Sequence, residues 1–209
     1  MNPVNVIFRP GKTVRECLEK PDLFMAFVFV LLPSVISLLG LLVYGLEINF
    51  FNILFGFLAA ILSWIIASVV LSIIISLFAK KNMRTEFYGI ASAVSLTRFL
   101  VAIAVILFLF FPLVLPSAIF DSVKDFQSGE ISLNESVDVI TASVNSQEFD
   151  NAFSLIALIV LLVVVLVLIS VYVFYRIISE KMHSNFFLHL IALIIFLVFN
   201  SILLTLIGL

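Results

Sequence analysis

Charge is what this sequence has least of. Only 11% of its 209 residues are Asp, Glu, Lys or Arg, against 64% hydrophobic residues and a mean hydropathy of +1.32. A soluble domain is about 45–50% apolar and about 25% charged, so a water-facing globule is excluded and a polytopic membrane protein is left. There is one cysteine, Cys17, which rules out an intramolecular disulfide, a zinc ribbon and a redox pair. Alone, it reads as a small, partly buried residue, with juxtamembrane S-acylation as the functional alternative. Histidine is equally sparse, at His183 and His189. No His-Glu-x-x-His stretch occurs, and no Ser, His and acid share an apolar run as an intramembrane protease requires. With no Gly-rich phosphate loop either, no catalytic, cofactor-binding or metal-ligating residue is expected. The near balance of eleven basic and thirteen acidic residues gives no reason to expect nucleic acid as a partner.

What is present in quantity is uninterrupted apolar sequence. Five runs, 23–44, 50–79, 87–115, 153–175 and 186–206, are each long enough to cross a bilayer as a helix. The fold class expected is all-α, a polytopic membrane bundle of five transmembrane helices in a single domain, 1–209. The runs show no period-two alternation, which excludes a membrane barrel. The second run is thirty residues, about 45 Å of helix against a hydrocarbon core of about 30 Å, so it must tilt or protrude. Pro33 lies in the middle of the first and is expected to kink it. Gly56 and Ala60, then, past Trp64, Ser68, Ser72 and Ser76, fall on one four-residue spacing on the second helix; Gly89 and Ala93, with Ala91 and Ser95, repeat that spacing on the third. Small-residue stripes of this kind let two backbones approach closely, and the two helices are expected to pack on each other, a polar pathway lined by the serines being the alternative. Trp64, well inside its run, reads as a packing residue.

The connections carry the topology. Thr13-Val14-Arg15-Glu16 has the form of a capping box, predicting a short helix with Val14, Cys17 and Leu18 on one face, on the membrane surface or simply solvated, ended by Pro21. Met1 to Asp22 is too polar and too long for a signal n-region, so the first run is expected to be retained. The segment 117–151 is acidic, with Lys124 its one basic residue against Asp121, Asp125, Glu130, Glu135, Asp138, Glu148 and Asp150. Within it, Ser132-Leu133-Asn134-Glu135 is a second capping box, and Leu133, Val137, Ile140 and Val144 follow at helical spacing, which predicts an outer amphipathic helix. A shorter one is expected over Ile119, Phe120, Val123 and Phe126, and Asn134-Glu135-Ser136 is a formal glycosylation sequon. Arg9, Lys12, Arg15, Lys20, Lys80, Lys81, Arg84, Arg176 and Lys181 fall on one side of the membrane and Lys124 alone on the other. That asymmetry places the N-terminus in the cytoplasm and the C-terminus outside.

The residues singled out for contact are Lys80, Lys81, Arg84, Glu86 and Arg98. The first four sit at the tip of the hairpin between the second and third runs. Arg98 would lie about 16 Å along a helix begun at Phe87, where a charge costs about 2.5–3.5 kcal/mol on insertion scales. Because Phe99 to Leu115 suffices to cross, the hairpin is expected to protrude, leaving Arg98 near the inner headgroups and the other four displayed to lipid or a partner protein. The rival reading puts Arg98 in a polar cavity with Ser92, Ser95 or Asn200, serving an anionic substrate. Glu180 and His183 have the Glu-x-x-His spacing of di-metal bundles, but those need a second copy and further carboxylates, and Arg176 to His183 reads as a turn. His189 reads as a hydrogen-bonded packing residue.

Asn2-Pro3, the lead Phe8-Arg9-Pro10-Gly11-Lys12-Thr13 up to Lys20-Pro21, and Phe87-Tyr88-Gly89-Ile90-Ala91 after the second run together resemble the Yip family, the Ypt/Rab-interacting membrane proteins, in its compact prokaryotic form. The resemblance implies five spans with the N-terminus inside, no enzyme activity, and a membrane-organising or vesicle-transport-like adaptor role. Eukaryotic members contact small GTPases; this chain lacks their long polar N-terminal region, so that partner is not implied. The partners expected are membrane lipids, a membrane or cytoplasmic protein, and a second copy of the chain. The location expected is the cell membrane, or an endomembrane in a eukaryotic host.

Overall fold

The computed structural model describes residues 3–45, 49–80, 82–144, 147–182 and 186–207. The described chain is all-α, and no strand occurs in it. The helices are α1 (Asn5–Phe8), α2 (Pro10–Glu19), α3 (Leu23–Val43), α4 (Phe50–Ala79), α5 (Met83–Leu109), α6 (Phe111–Val114), α7 (Ser117–Ser128), α8 (Leu133–Val144), α9 (Gln147–Met182) and α10 (Phe186–Ile207). Four stretches are long and apolar enough to cross a membrane: Leu23–Val43, Phe50–Ala79, Glu86–Val114 and Ala152–Met182. Large apolar side chains face outward along them, among them Leu58, Leu62, Leu158, Leu161 and Leu168. A soluble monomer rarely exposes apolar patches beyond a few hundred Å²; a hydrocarbon surround removes the penalty.

Parallel packing of α3 and α5 sets the frame. The Asp22 backbone N–H donates to Ser92 Oγ at 3.3 Å, the Phe29 and Phe99 rings lie 5.3 Å apart, and the Tyr44 hydroxyl donates to the Leu109 carbonyl. The near-constant offset of these pairs means the two helices run in register from one end to the other. α4 returns antiparallel against both, with Trp64 Nε1 donating to the Ala91 carbonyl at 2.9 Å. The shared core is Leu71, Ile75, Ile90, Val94, Leu96, Leu100, Val173, Ile177 and Phe196.

Several expectations change. α4 and α5 do pack on each other as expected, but α5 packs more extensively on α3, and the small-residue stripes serve different partners. A Cβ on Gly89 would meet the Leu18 backbone of α2, whereas one on Gly56 would meet nothing within 4 Å. Only the inner part of the α4 stripe, Ser68 and Ser72, is buried in packing. There the hydroxyls donate to the carbonyls of Trp64 and Ser68. The first capping box does not form: α2 begins at Pro10, whose fixed φ suits the first helical position, so Thr13 lies inside the helix and its hydroxyl donates back to the Arg9 carbonyl. Arg176 to Met182 is not a turn but the last two turns of α9, closed by an i,i+4 pair between Arg176 and Glu180. Pro112 breaks the third run into α5 and α6.

The second capping box does form. The Glu135 carboxylate accepts from the Ser132 backbone N–H and hydroxyl, both at 2.8 Å, at the start of α8. Ser136 is buried against Ser122 of α7, 3.0 Å between hydroxyls, while Leu133, Val137 and Val144 are exposed. The Ser132 bonds hold the Glu135 carboxyl below its ordinary range. A depressed carboxyl stabilises the fold above its unfolded pKa of about 4.3 and loses that contribution as pH falls through the folded value. Amide protection at Glu135 and Ser136, relative to intrinsic exchange at each pH, is therefore expected to fall in that acid range in wild type and to be low already at neutral pH in Glu135→Ala. Identical protection in both proteins at pH 7 would remove the cap from the account.

Candidate functional site

The end of the bundle at which α3 begins is closed by α1 and α2. Val6, Thr13, Val14 and Cys17 are buried there, and Gly11 lies against the Arg176 guanidinium, which would stand 3.1 Å from a Cβ at that position. The amphipathic lead helix therefore spends its apolar face on α5 and α9 rather than on a membrane surface, while Arg15 pairs outward with Glu19 at 2.8 Å. Burial pushes the Cys17 thiol up to about 11, so it stays protonated and is a core group.

The hairpin tip is less free than its sequence implies. Lys80 ends α4 exposed, in the left-handed region at φ 52. Glu86, by contrast, pairs with Lys181 of α9, each side chain less than a fifth exposed. The pair ties α5 to α9 and withdraws Glu86 from any contact surface. Lys81 lies outside the described residues; Arg84 belongs to the first turn of α5, and its side chain lies outside the described ones. A shallow recess of about 370 Å³ is formed by Asn82, Met83, Phe87 and Tyr88 at this tip. His183 is also outside the described residues, and Glu180 is taken up by Arg176.

Arg98 turns into the bundle. Its Nη2 donates to Ser63 Oγ of α4 at 2.6 Å, and it makes no ion pair among the described residues. By the α3–α5 register it is level with residue 28, six residues or about 9 Å inward from Asp22. The partners expected from sequence do not serve it: Ser95 donates to the Ser92 carbonyl, Ser92 Oγ accepts from the Asp22 backbone N–H, and Asn200 Oδ1 is buried without a partner among the described residues. Ser63 escaped sequence reasoning because it belongs to a different four-residue register from Ser68, Ser72 and Ser76. His189 Nε2 also has no partner among the described residues; the ring packs edge-on to Tyr175 at 6.0 Å.

From the opposite end a groove of about 820 Å³ opens between α3 and α4 under α7. Gly45, Asn49, Lys124 and Ser128 form its rim, and Pro33, Ser34, Gly56 and Phe57 its floor. One helical face connects groove and arginine. Asn52, Gly56 and Ser63 fall within about 40° of each other at 100° per residue, so a strip of polar and small side chains runs down α4 from the rim to Arg98.

Comparison of the chain with family models, with curated proteins and with solved structures yields no match. The likeness to the Yip family rests on the residues that carry it.

Proposed function

We propose that this is a five-span protein of the cell membrane, N-terminus inside and C-terminus outside, that works as a small transport-type bundle for an anionic group, without enzyme activity. In this reading α10 is the fifth span. The single observation that carries it is the placement of Arg98, inside the bundle on Ser63, at the inner end of the polar strip that descends from the groove. A charge at that depth is costly, and a residue of this kind inside a span marks a substrate or ion pathway by default. The groove open at one end and the α1–α2 plug at the other correspond to an outward-facing arrangement, in which alternating access would require the plug or the floor to move.

A membrane-organising adaptor is the second reading, favoured by exposed Lys80 and by the recess beside it, which is built from Phe87 and Tyr88 of the Yip-like stretch. It draws on less of the hairpin than the sequence implies, since Glu86 and Arg98 have internal partners.

Single cysteines in a Cys17→Ser background separate the two. On intact cells, Glu130→Cys is expected to react with an impermeant thiol reagent and Asn82→Cys only after permeabilisation. Arg98→Cys is expected to react from outside, more slowly than Glu130→Cys, because the groove leads toward it. Position 98 silent from both sides, in a protein that labels correctly at 82 and 130, rules out the transport reading and leaves the adaptor.

A further inference from the structure

We propose that the groove between α3 and α4 is a binding site for a phospholipid of the outer leaflet, with the phosphodiester held at the rim by Lys124, Asn49 and Asn52. This names the substrate class for the transport reading above and rests on its topology. The shape of the groove decides between a lipid and a water-soluble anion. α3 and α4 form its walls and α7 its roof, and among the described residues none of α5, α9 or α10 lines it. One long side is therefore not closed by the bundle and faces hydrocarbon. A soluble anion in such a groove would be bounded by lipid tails, against a large desolvation cost. A phospholipid has its tails there already.

The lining follows the same division. Leu38, Leu41, Ile53 and Phe57 offer apolar surface along the depth of the groove, and its volume lies within the roughly 300–1,000 Å³ usual for small-molecule sites. Two hydroxyls below the rim are also left without a described protein partner. Ser34 and Ser37 make no hydrogen bond among the described residues, whereas Ser63, Ser68, Ser72 and Ser95 each donate to a carbonyl one turn back. Lys124 is exposed at the rim and forms no ion pair among the described residues, although Asp121 and Asp125 share its helix. A lysine flanked by carboxylates suits a phosphodiester carrying a cationic substituent as well as an anionic one, so phosphatidylcholine and phosphatidylglycerol are both expected to bind. Gly56 lies on the open floor: a Cβ there would meet nothing within 4 Å, so no packed helix fills the space beside it.

The test is native mass spectrometry of the purified full chain, titrated with phosphatidylglycerol, phosphatidylcholine, diacylglycerol and inorganic phosphate. Wild type is expected to retain one molecule of either phospholipid, and neither diacylglycerol nor phosphate alone. Gly56→Leu, which fills the floor without a clash, should weaken retention at least tenfold, and Lys124→Gln roughly threefold to tenfold. Ser37→Leu narrows the groove from the other wall and serves if Gly56→Leu fails to fold. Wild-type retention in Gly56→Leu and Ser37→Leu overturns the site, as does equal retention of diacylglycerol. If these fail while position 98 still reacts from outside, the lipid is the wrong substrate and the transport reading stands. If the lipid is retained as expected and position 98 is silent, the site stands and transport does not.

Discussion

Gly89→Leu is expected to detach α2 from the bundle and to make Cys17 reactive. A Cβ at Gly89 would lie 3.0 Å from the Leu18 carbonyl oxygen and 3.4 Å from the Leu18 Cα. Both are backbone atoms, so no side-chain rotation relieves the contact, and overpacking of this kind costs about 1–3 kcal/mol. The rest of a leucine side chain must displace the whole segment. What α2 then loses is the burial of Val14 and Cys17 and the seat of Gly11 on Arg176. The thiol reports it directly. Burial holds Cys17 at about 11, and exposure returns it toward the ordinary value of about 8.5. At pH 7.5 both lie above the pH, so the thiolate fraction and the alkylation rate should rise by about two orders of magnitude, before any gain in access. Gly89→Ala should show a smaller rise in the same direction. Alkylation of Gly89→Leu at the wild-type rate would mean that α2 is held by something other than this close approach.

The same contact shows where sequence reasoning reached and where it stopped. Length and hydropathy suffice for the long helices, because a run such as Phe50–Ala79 has no alternative structure that satisfies its backbone in hydrocarbon. Spacing suffices for α8, because Ser132 and Glu135 act within one turn. Partner choice is not local. Gly89 and Gly56 present the same small surface, yet one meets α2 and the other an open groove, and nothing within four residues of either tells them apart. Charge has the same ambiguity. Glu86 and Lys181 are remote in sequence and sit on what read as two separate turns, so their pairing, and the continuation of α9 through Arg176, depend on how α5 and α9 meet. Lys80 kept its exposed position because it ends a helix, a local matter.

Arg98 and Ser63 are expected to show opposite signs when each is removed. Arg98→Leu takes a cation out of a span, where an arginine costs up to about 2.5–3.5 kcal/mol at the helix centre on insertion scales. No ion pair among the described residues is lost with it, so the exchange is expected to be neutral or stabilising. Ser63→Ala leaves the guanidinium in place without its 2.6 Å acceptor, and loss of a charged hydrogen-bond partner in a buried site costs about 1–3 kcal/mol. In the Arg98→Leu background Ser63→Ala should be nearly neutral, since the serine hydroxyl already donates to the Ala60 carbonyl at 3.0 Å. The cycle should therefore close with a coupling of about 1–3 kcal/mol, measured as thermal unfolding of the four proteins in one detergent. A bundle that gains stability when Arg98 becomes leucine carries the arginine for a reason other than folding, as the transport reading requires. A loss of more than about 3 kcal/mol in Arg98→Leu would assign Arg98 to the architecture instead, as a bolt between α4 and α5, and would withdraw the observation on which that reading rests.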